Sequence, residues 1–253
     1  MIYHYQRADT AIASQVRSVL VLQPGVTDEQ PNVPLFTNGS PAFVCRLGQG
    51  VASLALYGQA VTDEALDTDE DTTVVAFFFK PFAMACTFGI AAKYLKDNPV
   101  INLPNWNAQL TFALQLQLSH ATTLVDKIGV LTAFIAACIS RQQRDCEVIS
   151  HATDRIMNDP DTEILATLLT ELNLTERTFQ RIFKKYVGTT PIQYRRICQF
   201  YFAFSQLRGD HYERLSDVAY SNGYFDQSHY IRAFKEFTDI TPNEYLQHGL
   251  TKK

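Results

Sequence analysis

The chain lacks the apolar segments that would place it in a membrane. Its longest apolar run, IGVLTAFIAACI at 128–139, is shorter than the roughly 20 residues that a membrane-spanning helix needs. The first residues, MIYHYQRADT, have no apolar core of the kind found in signal peptides. We therefore expect a cytoplasmic protein without a membrane partner.

Clusters of metal-binding residues are also lacking. The five cysteines stand at positions 45, 86, 138, 146 and 198, with no CxxC pair and no spacing typical of metal ligands. Only His4 and His120 precede residue 150. No metal and no cofactor are predicted. We expect the cysteines to be reduced and buried, with a redox-sensing thiol as the alternative.

The excess of positive charge that many nucleic-acid-binding proteins have is missing from the chain as a whole. It has 22 lysines and arginines against 26 acidic residues, which gives a formal net charge of −4. Within residues 175–208, however, there are seven basic residues and one acidic residue, Glu176. Because binding to a polyanion responds to the local field, this segment is a candidate DNA-binding surface.

The pattern of secondary structure changes along the chain. Four short runs in the first eighty residues are rich in β-branched and aromatic residues and favour strands: SVLVLQP (18–24), AFVCRL (42–47), VASLALYG (51–58) and TVVAFFFKP (73–81). Helical spacing begins at Asn107, and the chain after Ser150 is typical of short helices joined by turns. The sequence predicts an α+β fold, with a β-rich domain flanked by helices over 1–146 and an all-α domain over 147–253.

One apolar helix of the first domain has two possible roles. Between residues 122 and 140, apolar side chains recur at i, i+3 and i+4 spacing and form a stripe that includes Leu124, Ile128, Leu131 and Ile135. The stripe is broad for a surface helix. It could pack in the core of the first domain, form a homodimer interface, or do both.

Two segments of the second domain repeat one pattern at an interval of 51 residues. Residues 179–194 read FQRIFKKYVGTTPIQY, and residues 230–245 read YIRAFKEFTDITPNEY. Each copy has an apolar helix face and a face with arginine and lysine, and each closes with Thr-Pro and a tyrosine. Because a short amphipathic helix precedes each copy, the pattern predicts two helix-turn-helix units, over about 163–187 and 213–237.

The repeat also predicts how the two units begin and how far apart they lie. Thr175 and Asp226 are placed to cap the second helix of each unit, and Thr190 and Thr241 to cap the helices that follow. The second turn is one residue longer than the first. A linker helix over about 191–207 would be about 25 Å long. It would set the two outward helices roughly 34 Å apart, which is one turn of DNA.

The two units together resemble a known DNA-binding domain. The stretch LTERTFQRIFKKYVGTTPIQY…SDVAYSNGYFDQSHYIRAFKEFTDITPNEYL resembles that of the AraC/XylS family of bacterial transcription regulators, over about residues 151–250. The resemblance implies a non-enzymatic, sequence-specific regulator, more often an activator, with double-stranded DNA and RNA polymerase as partners. The sequence departs from the family at Leu169, where alanine is usual, and at Asn173 and Thr238-Asp239, where glycine is usual.

The same resemblance implies which side chains meet DNA. Base edges would be contacted from the two outward helices by Arg177, Thr178, Gln180 and Arg181, and by Gln227, Ser228, His229 and Arg232. An arginine fork can bind guanine and a glutamine can pair with adenine, each good contact discriminating by about 1–3 kcal/mol. Phosphate contacts, which supply salt-sensitive affinity, are expected from Lys184, Lys185, Arg195, Arg196 and Lys235.

The amino-terminal half has a second resemblance. The segments PLFTNGSPAFVCRLGQG (34–50), ALYGQAV (55–61) and FFFKPFAMACTFGIAAKYL (77–95) resemble a cupin-like sensor domain found ahead of some AraC-type modules. This implies a small-molecule effector, a homodimer, or both. Two alternatives stay open: a thiol-dependent DNA repair enzyme that carries the DNA-binding module, and an amino-terminal half that only docks a partner. The enzyme is disfavoured because the cysteines before residue 150 have no neighbouring histidine to activate them.

We predict that the first helix-turn-helix unit contributes more to operator affinity than the second. Across residues 213–247, three basic residues are outnumbered by six acidic ones, whereas residues 175–208 have seven basic residues and one acidic residue. Arg181→Ala should therefore weaken operator binding more than Arg232→Ala does, when both variants are titrated against the same labelled duplex. A larger loss with Arg232→Ala would contradict this ranking.

Overall fold

The computed structural model divides into two compact bodies. The amino-terminal body consists of Met1–Ser150 and Arg181–Gly188, and the carboxy-terminal body of His151–Gln180 and Thr189–Lys253. The structure describes residues 2–24, 40–48, 53–58, 71–139, 144–160, 163–209 and 212–247. The domain boundary between residues 146 and 147 stays a prediction.

The amino-terminal body contains one antiparallel sheet. Its strands are β1 (Ile2–Arg7), β2 (Val16–Gln23), β3 (Ala42–Leu47), β4 (Ser53–Tyr57), β5 (Thr73–Phe79) and β6 (Val100–Asn102). Their order across the sheet is β1-β2-β5-β3-β4-β6, and all neighbouring strands are antiparallel. The four runs that the sequence predicts as strands overlap β2, β3, β4 and β5.

The central strand β5 is almost wholly apolar because both of its faces are buried. The odd-numbered residues join the main core cluster, which they share with helices: Val75, Phe77 and Phe79. The even-numbered residues form a second cluster with residues of β2 and β3: Val74, Ala76 and Phe78. Since successive side chains of a strand alternate between faces, a run without polar positions fits a strand covered on both sides.

Helices follow β5 in the amino-terminal body, and β6 lies between the second and the third of them. They are α1 (Ala83–Phe88), α2 (Ala92–Asp97), α3 (Leu103–Trp106), α4 (Ala108–His120), α5 (Leu124–Ile139) and the first part of α6 (Arg144–Asn158). In α5, Leu131 and Ile135 are fully buried in the main core cluster, and Ile128 packs against it. Core packing of the apolar stripe is thereby confirmed. A homodimer through residues 122–140 stays a prediction.

A disulfide corrects the expectation that all five cysteines are reduced. Cys86 in α1 and Cys146 in α6 are 60 residues apart in the sequence, yet packing brings their Cα atoms to 5.8 Å, within the range that a disulfide requires. The spacing of the cysteines could not reveal this pair, because it forms between separate helices. Burial raises the pKa of the Cys45 thiol to about 12, so this thiol is protonated at neutral pH and poorly suited to act as a nucleophile.

The segment that holds the two repeats forms helices and no strands within its described ranges, 163–209 and 212–247. They are α7 (Ile164–Leu172), α8 (Glu176–Val187), α9 (Pro191–Arg208), α10 (Leu215–Ser221), α11 (Gln227–Thr238) and α12 (Pro242–Gln247). Helices α7 and α8 form the first helix-turn-helix unit, α10 and α11 form the second, and α9 is the linker helix. The predicted α+β class, with a β-rich half followed by a helical half, is confirmed. None of the helices in the described ranges has the length and apolar character needed to cross a membrane.

Candidate functional site

Backbone hydrogen bonds close the turn of the first helix-turn-helix unit. Asn173 adopts a φ of 50°, and the N–H of Leu174 donates to the carbonyl of Leu169 at 3.1 Å. Asparagine enters the left-handed region more readily than most residues, so the replacement of the family's glycine leaves the turn closed. Thr175 then begins α8, and its Oγ1 accepts from the N–H of Thr178 at 3.3 Å.

Helix α8 has one buried face and one exposed face. The buried face consists of Phe179, Ile182, Phe183 and Tyr186. The predicted DNA contacts lie elsewhere on the helix, where Thr178 is half-buried and the others are exposed: Arg177, Gln180, Arg181, Lys184 and Lys185. Within the described parts of the chain, the guanidinium groups of Arg177 and Arg181 form no ion pair. Their N–H donors therefore face solvent.

Two of the predicted contacts on α8 have partners nearby. Gln180 Nε2 donates to Glu176 Oε1 at 2.8 Å, one helical turn away. Lys185 Nζ donates to the Tyr186 hydroxyl at 3.2 Å and lies 4.6 Å from the centre of that ring. Hydrogen bonds at exposed groups contribute little net stability, because water replaces them readily. Gln180 and Lys185 stay predicted DNA contacts.

The second helix-turn-helix unit repeats this geometry with different residues. Gly223 adopts a φ of 72°, and the N–H of Tyr224 donates to the carbonyl of Ala219 at 3.0 Å. Asp226 begins α11, and its Oδ1 accepts from the N–H of His229 at 2.6 Å. Burial raises the pKa of the Tyr224 hydroxyl, which therefore stays protonated at neutral pH.

Helix α11 also separates a buried face from an exposed one. Its buried residues are Tyr230, Ala233 and Phe234. The predicted DNA contacts are all exposed: Gln227, Ser228, His229, Arg232 and Lys235. Arg232 Nε donates to the carbonyl of Ser228 at 3.3 Å, and the ring of His229 meets that of Tyr224 edge-on, with centroids 5.3 Å apart. These two side chains are thus held close to the surface of the turn and helix.

The departure from the family at Thr238-Asp239 is accommodated by the backbone. Asp239, the residue after α11, has a φ of 65°, and Gly188, the residue after α8, has a φ of 85°. Aspartate is among the residues that tolerate this conformation. Thr238 Oγ1 donates to the carbonyl of Phe234 at 2.7 Å, one turn back along the helix.

The capping threonines after each unit accept hydrogen bonds from the helices that they begin. Thr190 Oγ1 accepts from the N–H of Gln193 at 3.2 Å at the start of α9. Thr241 Oγ1 accepts from the N–H of Glu244 at 3.3 Å, and Glu244 Oε2 accepts in return from the N–H of Thr241 at 2.6 Å. This reciprocal pair is a capping box, and it satisfies two otherwise unpartnered donors of α12.

Two predicted phosphate contacts on the linker helix have partners within the carboxy-terminal body. Arg195 Nη1 donates to the carbonyl of Pro160 at 3.1 Å, and Arg196 Nη2 lies 2.6 Å from Glu236 Oε2. Both arginines are half-buried. A guanidinium has five N–H donors, so each arginine has donors beyond these bonds, and Arg195 and Arg196 stay predicted phosphate contacts.

Gln199 supports the second turn, and sequence reasoning missed it. Its side chain is 6% exposed, and its Nε2 donates to the carbonyls of Asn222 and Gly223 at 2.9 Å and 3.0 Å. The linker helix therefore fixes the turn that leads to α11. A signal was present in the sequence, because Gln199 is a polar residue next to the buried Cys198 on an otherwise apolar side of the helix.

An ion cluster ties α7 to α6 within the carboxy-terminal body. Glu171 Oε2 lies 3.1 Å from His151 Nε2, and Glu171 Oε1 accepts from Arg155 Nη2 at 3.0 Å. The hydrogen bond from His151, followed by the charge of Arg155, lowers the pKa of the Glu171 carboxyl. The carboxylate is therefore ionised at neutral pH and can hold the first helix of the first unit in place.

The amino-terminal body contains a cavity of about 480 Å³. Its lining is mainly apolar and aromatic, with Phe88, Trp106, Leu110 and Phe134 among the walls, and Lys185 adds a charged group. Trp106 Nε1 donates to the carbonyl of Phe88 at 2.8 Å, which fixes the orientation of the indole. Volume and lining are typical of a small-molecule site. Among the described residues, no group of histidine, cysteine and acidic side chains could hold a metal ion.

Comparison with known proteins gives a family match for the helical half. Residues 168–248 match a protein-family model described as a helix-turn-helix domain. A search of curated proteins gave no match.

Similar solved structures are of ToxT from Vibrio cholerae. A 1.65 Å structure is 12% identical, covers 97% of this chain and 98% of that chain, and has a TM-score of 0.41. An apo variant from strain SCE256 is 14% identical, covers 95% and 98%, and has a TM-score of 0.39. Wild-type ToxT with a bound unsaturated fatty acid is 14% identical, covers 83% and 84%, and has a TM-score of 0.38. Similarity at this level does not transfer a ligand to this chain.

We predict that Asp226→Ala destabilises the second helix-turn-helix unit. The carboxylate accepts from an N–H of the first turn of α11, and loss of such a cap costs about 1 kcal/mol. The free energy of unfolding, measured by chemical denaturation, should fall by about that amount. Asp226→Ser keeps an accepting oxygen and should retain most of the stability. An Asp226→Ala variant as stable as the native chain would show that the cap contributes nothing.

Proposed function

The chain carries an AraC-type helix-turn-helix domain in its carboxy-terminal half, and from this premise we propose that it regulates transcription by binding a specific DNA sequence with both units. Helices α8 and α11 would enter successive major grooves on one side of the duplex. Between them, α9 has 18 residues, which is about 27 Å at 1.5 Å per residue. With the width of the flanking helices, this length suits a separation of about 34 Å.

The exposed arginine pair on α8 is the observation that carries this proposal. Arg177 and Arg181 are four residues apart, so they lie on one face of the helix, and neither forms an ion pair within the described residues. The fork of an arginine matches the O6 and N7 atoms of guanine. An unpaired, exposed arginine pair on a recognition helix is therefore suited to read guanines, whereas a scaffold role would engage these donors within the protein.

The remaining contacts divide between reading bases and binding phosphates. We assign base reading also to Thr178 and Gln180 on α8 and to the exposed polar residues of α11: Gln227, Ser228, His229 and Arg232. Phosphate binding falls mainly to the lysines of the same helices: Lys184, Lys185 and Lys235. Arg195 and Arg196 would add phosphate contacts through the N–H donors that their present bonds do not use.

Base reading and phosphate binding are distinguishable by experiment. The full chain would first select duplexes from a random pool, and its variants would then be titrated against a selected and a random duplex at several salt concentrations. Arg181→Ala should lose about 1–3 kcal/mol of binding to the selected duplex and relax the preference at one base pair. Lys184→Ala should weaken binding to both duplexes equally and reduce the salt slope by about one.

A matched control is Lys93→Ala, which removes an exposed lysine of α2 and should leave both affinities unchanged. Selection that enriches no sequence would contradict the proposed function. So would an Arg181→Ala variant that loses affinity equally for the selected and the random duplex, because that arginine would then act only as a charge.

We also propose that the cavity of the amino-terminal body binds a small, largely apolar effector. The supporting observation is a volume of about 480 Å³ with aromatic walls, one of which, Trp106, is oriented by its hydrogen bond to the chain. Enzymatic thiol chemistry has less support. Cys86 and Cys146 are paired with each other, and burial keeps the Cys45 thiol protonated.

A thermal-shift screen of small metabolites against the full chain tests the effector. A ligand at 100 times its Kd should stabilise the native state by about 2.7 kcal/mol. Ala137→Leu, which adds bulk to the cavity lining, should reduce this stabilisation. Ala133→Leu makes the same change on α5 outside the lining and should not. Equal stabilisation of both variants would contradict the site, and a screen without any stabilising compound would favour the docking alternative.

Two partner proposals rest on the family resemblance. Homodimerisation would use residues 122–140, where Val125 is 78% exposed and offers an apolar contact. Contact with RNA polymerase would follow from activation, the commoner mode of action in the family.

A further inference from the structure

The turns of the two helix-turn-helix units can be compared residue by residue. Each begins with a residue in the left-handed region, Asn173 at φ 50° and Gly223 at φ 72°. In each, the next residue donates its N–H to a carbonyl five positions earlier, from Leu174 at 3.1 Å and from Tyr224 at 3.0 Å. Asn173 therefore corresponds to Gly223, and Leu174 to Tyr224.

This correspondence identifies the extra residue of the second turn as Phe225. In the first turn, Leu174 is followed directly by Thr175, which caps α8 through the N–H of residue 178. In the second, Phe225 stands between Tyr224 and Asp226, which caps α11 through the N–H of residue 229. Phe225 thus has no counterpart in the first unit.

The inserted side chain does not contribute to the core. Phe225 is 86% exposed, more than any other large apolar side chain in the described ranges, whereas Tyr224 beside it is 4% exposed. Tyr224 fills the buried position of the turn and packs against Tyr230, with ring centroids 5.3 Å apart. Because the backbone is fixed on both sides of Phe225, an ordered turn presents this aromatic ring to solvent.

The position of Phe225 places it where a recognition helix meets base edges. It immediately precedes Asp226, the cap of α11, and is followed by the exposed Gln227 and Ser228. In helix-turn-helix proteins, the N-terminal residues of the second helix contact bases in the major groove. The apolar group that the major groove displays is the C5 methyl of thymine, which phenylalanine can contact.

We propose that Phe225 reads the methyl group of a thymine at the edge of the second half-site. The inference rests on the proposed function, because it requires α11 to enter a major groove. It assigns the second unit an apolar contact that the first unit lacks. This suits the sequence, since across residues 213–247 basic residues are outnumbered by acidic ones and phosphate attraction is weakest there.

Deoxyuridine, which differs from thymidine only by the missing methyl, tests the contact. The full native chain and Phe225→Ala would be titrated against a selected duplex and against copies in which one thymine at a time is replaced by deoxyuridine. The native chain should lose about three- to fourfold in affinity at one position, the effect of burying one methyl group. Phe225→Ala should bind the thymine duplex more weakly and show no further loss at that position.

Two controls separate this contact from a general effect. Tyr94→Ala removes another exposed aromatic side chain, 54% exposed in α2, and should keep both the affinity and the loss at deoxyuridine. Phe225→Ala should have the melting temperature of the native chain, because its ring contributes nothing to the core.

The possible outcomes distinguish this inference from the proposed function. It is overturned if no deoxyuridine affects the native chain, or if Phe225→Ala loses the same factor as the native chain at the sensitive position. Equal affinities of the native chain and Phe225→Ala for every duplex would also overturn it. The exposed ring would then be expected to contact a protein partner instead. In these cases a selected sequence is still bound, so the proposed function stands. If the native chain selects no sequence from the random pool, both this inference and the proposed function are contradicted.

Discussion

Burial of one face of each short recognition helix is the constraint on which the candidate interface depends. Helices α8 and α11 have 12 residues each, close to the length at which an isolated helix is only marginally stable in water. Packing must therefore supply their stability. In α11, the ring of Phe234 meets those of Phe204 and Tyr245 with centroids 5.7 Å and 5.9 Å apart. Because this face is buried in the core, the arginine, glutamine and lysine side chains lie on the exposed face.

The acidic average of the chain and a DNA-binding role are compatible because the charges are distributed unevenly. Cations concentrate on α8 and the linker helix, but they are not equivalent. Arg177 and Arg181 face solvent, whereas the ion pair between Arg196 and Glu236, at 2.6 Å, neutralises a cation of the linker helix. In the second unit and the helix after it, residues 213–247, three basic residues are outnumbered by six acidic ones. Under the proposed function, the readout by the second unit would depend more on polar and apolar contacts, among them the proposed contact of the inserted Phe225.

Features that depend on residues close together in the chain could be predicted from the sequence. The predicted N-caps accept backbone hydrogen bonds three residues on, as the chemistry of Thr175 and Asp226 indicates. The linker helix, predicted over about 191–207, runs over Pro191–Arg208, because Thr190 and Pro191 mark its start. The runs of β-branched and aromatic residues in the first eighty positions likewise indicate strands, although they do not give the order of the strands in the sheet.

Features that join distant residues could not be predicted in this way. Nothing in the sequence links Cys86 to Cys146, Arg195 to the carbonyl of Pro160, or Gln199 to the turn before α11, since each pair meets only through packing. The longer second turn is visible in the sequence. The sequence does not show which residue of this turn is buried, because Tyr224 and Phe225 are both aromatic and only the backbone geometry distinguishes them.

Hydroxyl-radical footprinting of the full chain on a selected duplex tests the central claim most directly, because it maps the backbone positions that the protein covers. Two recognition helices in successive major grooves should protect two segments on the same side of the duplex, about 10 base pairs apart. One protected segment, or two on opposite sides of the duplex, would contradict the account.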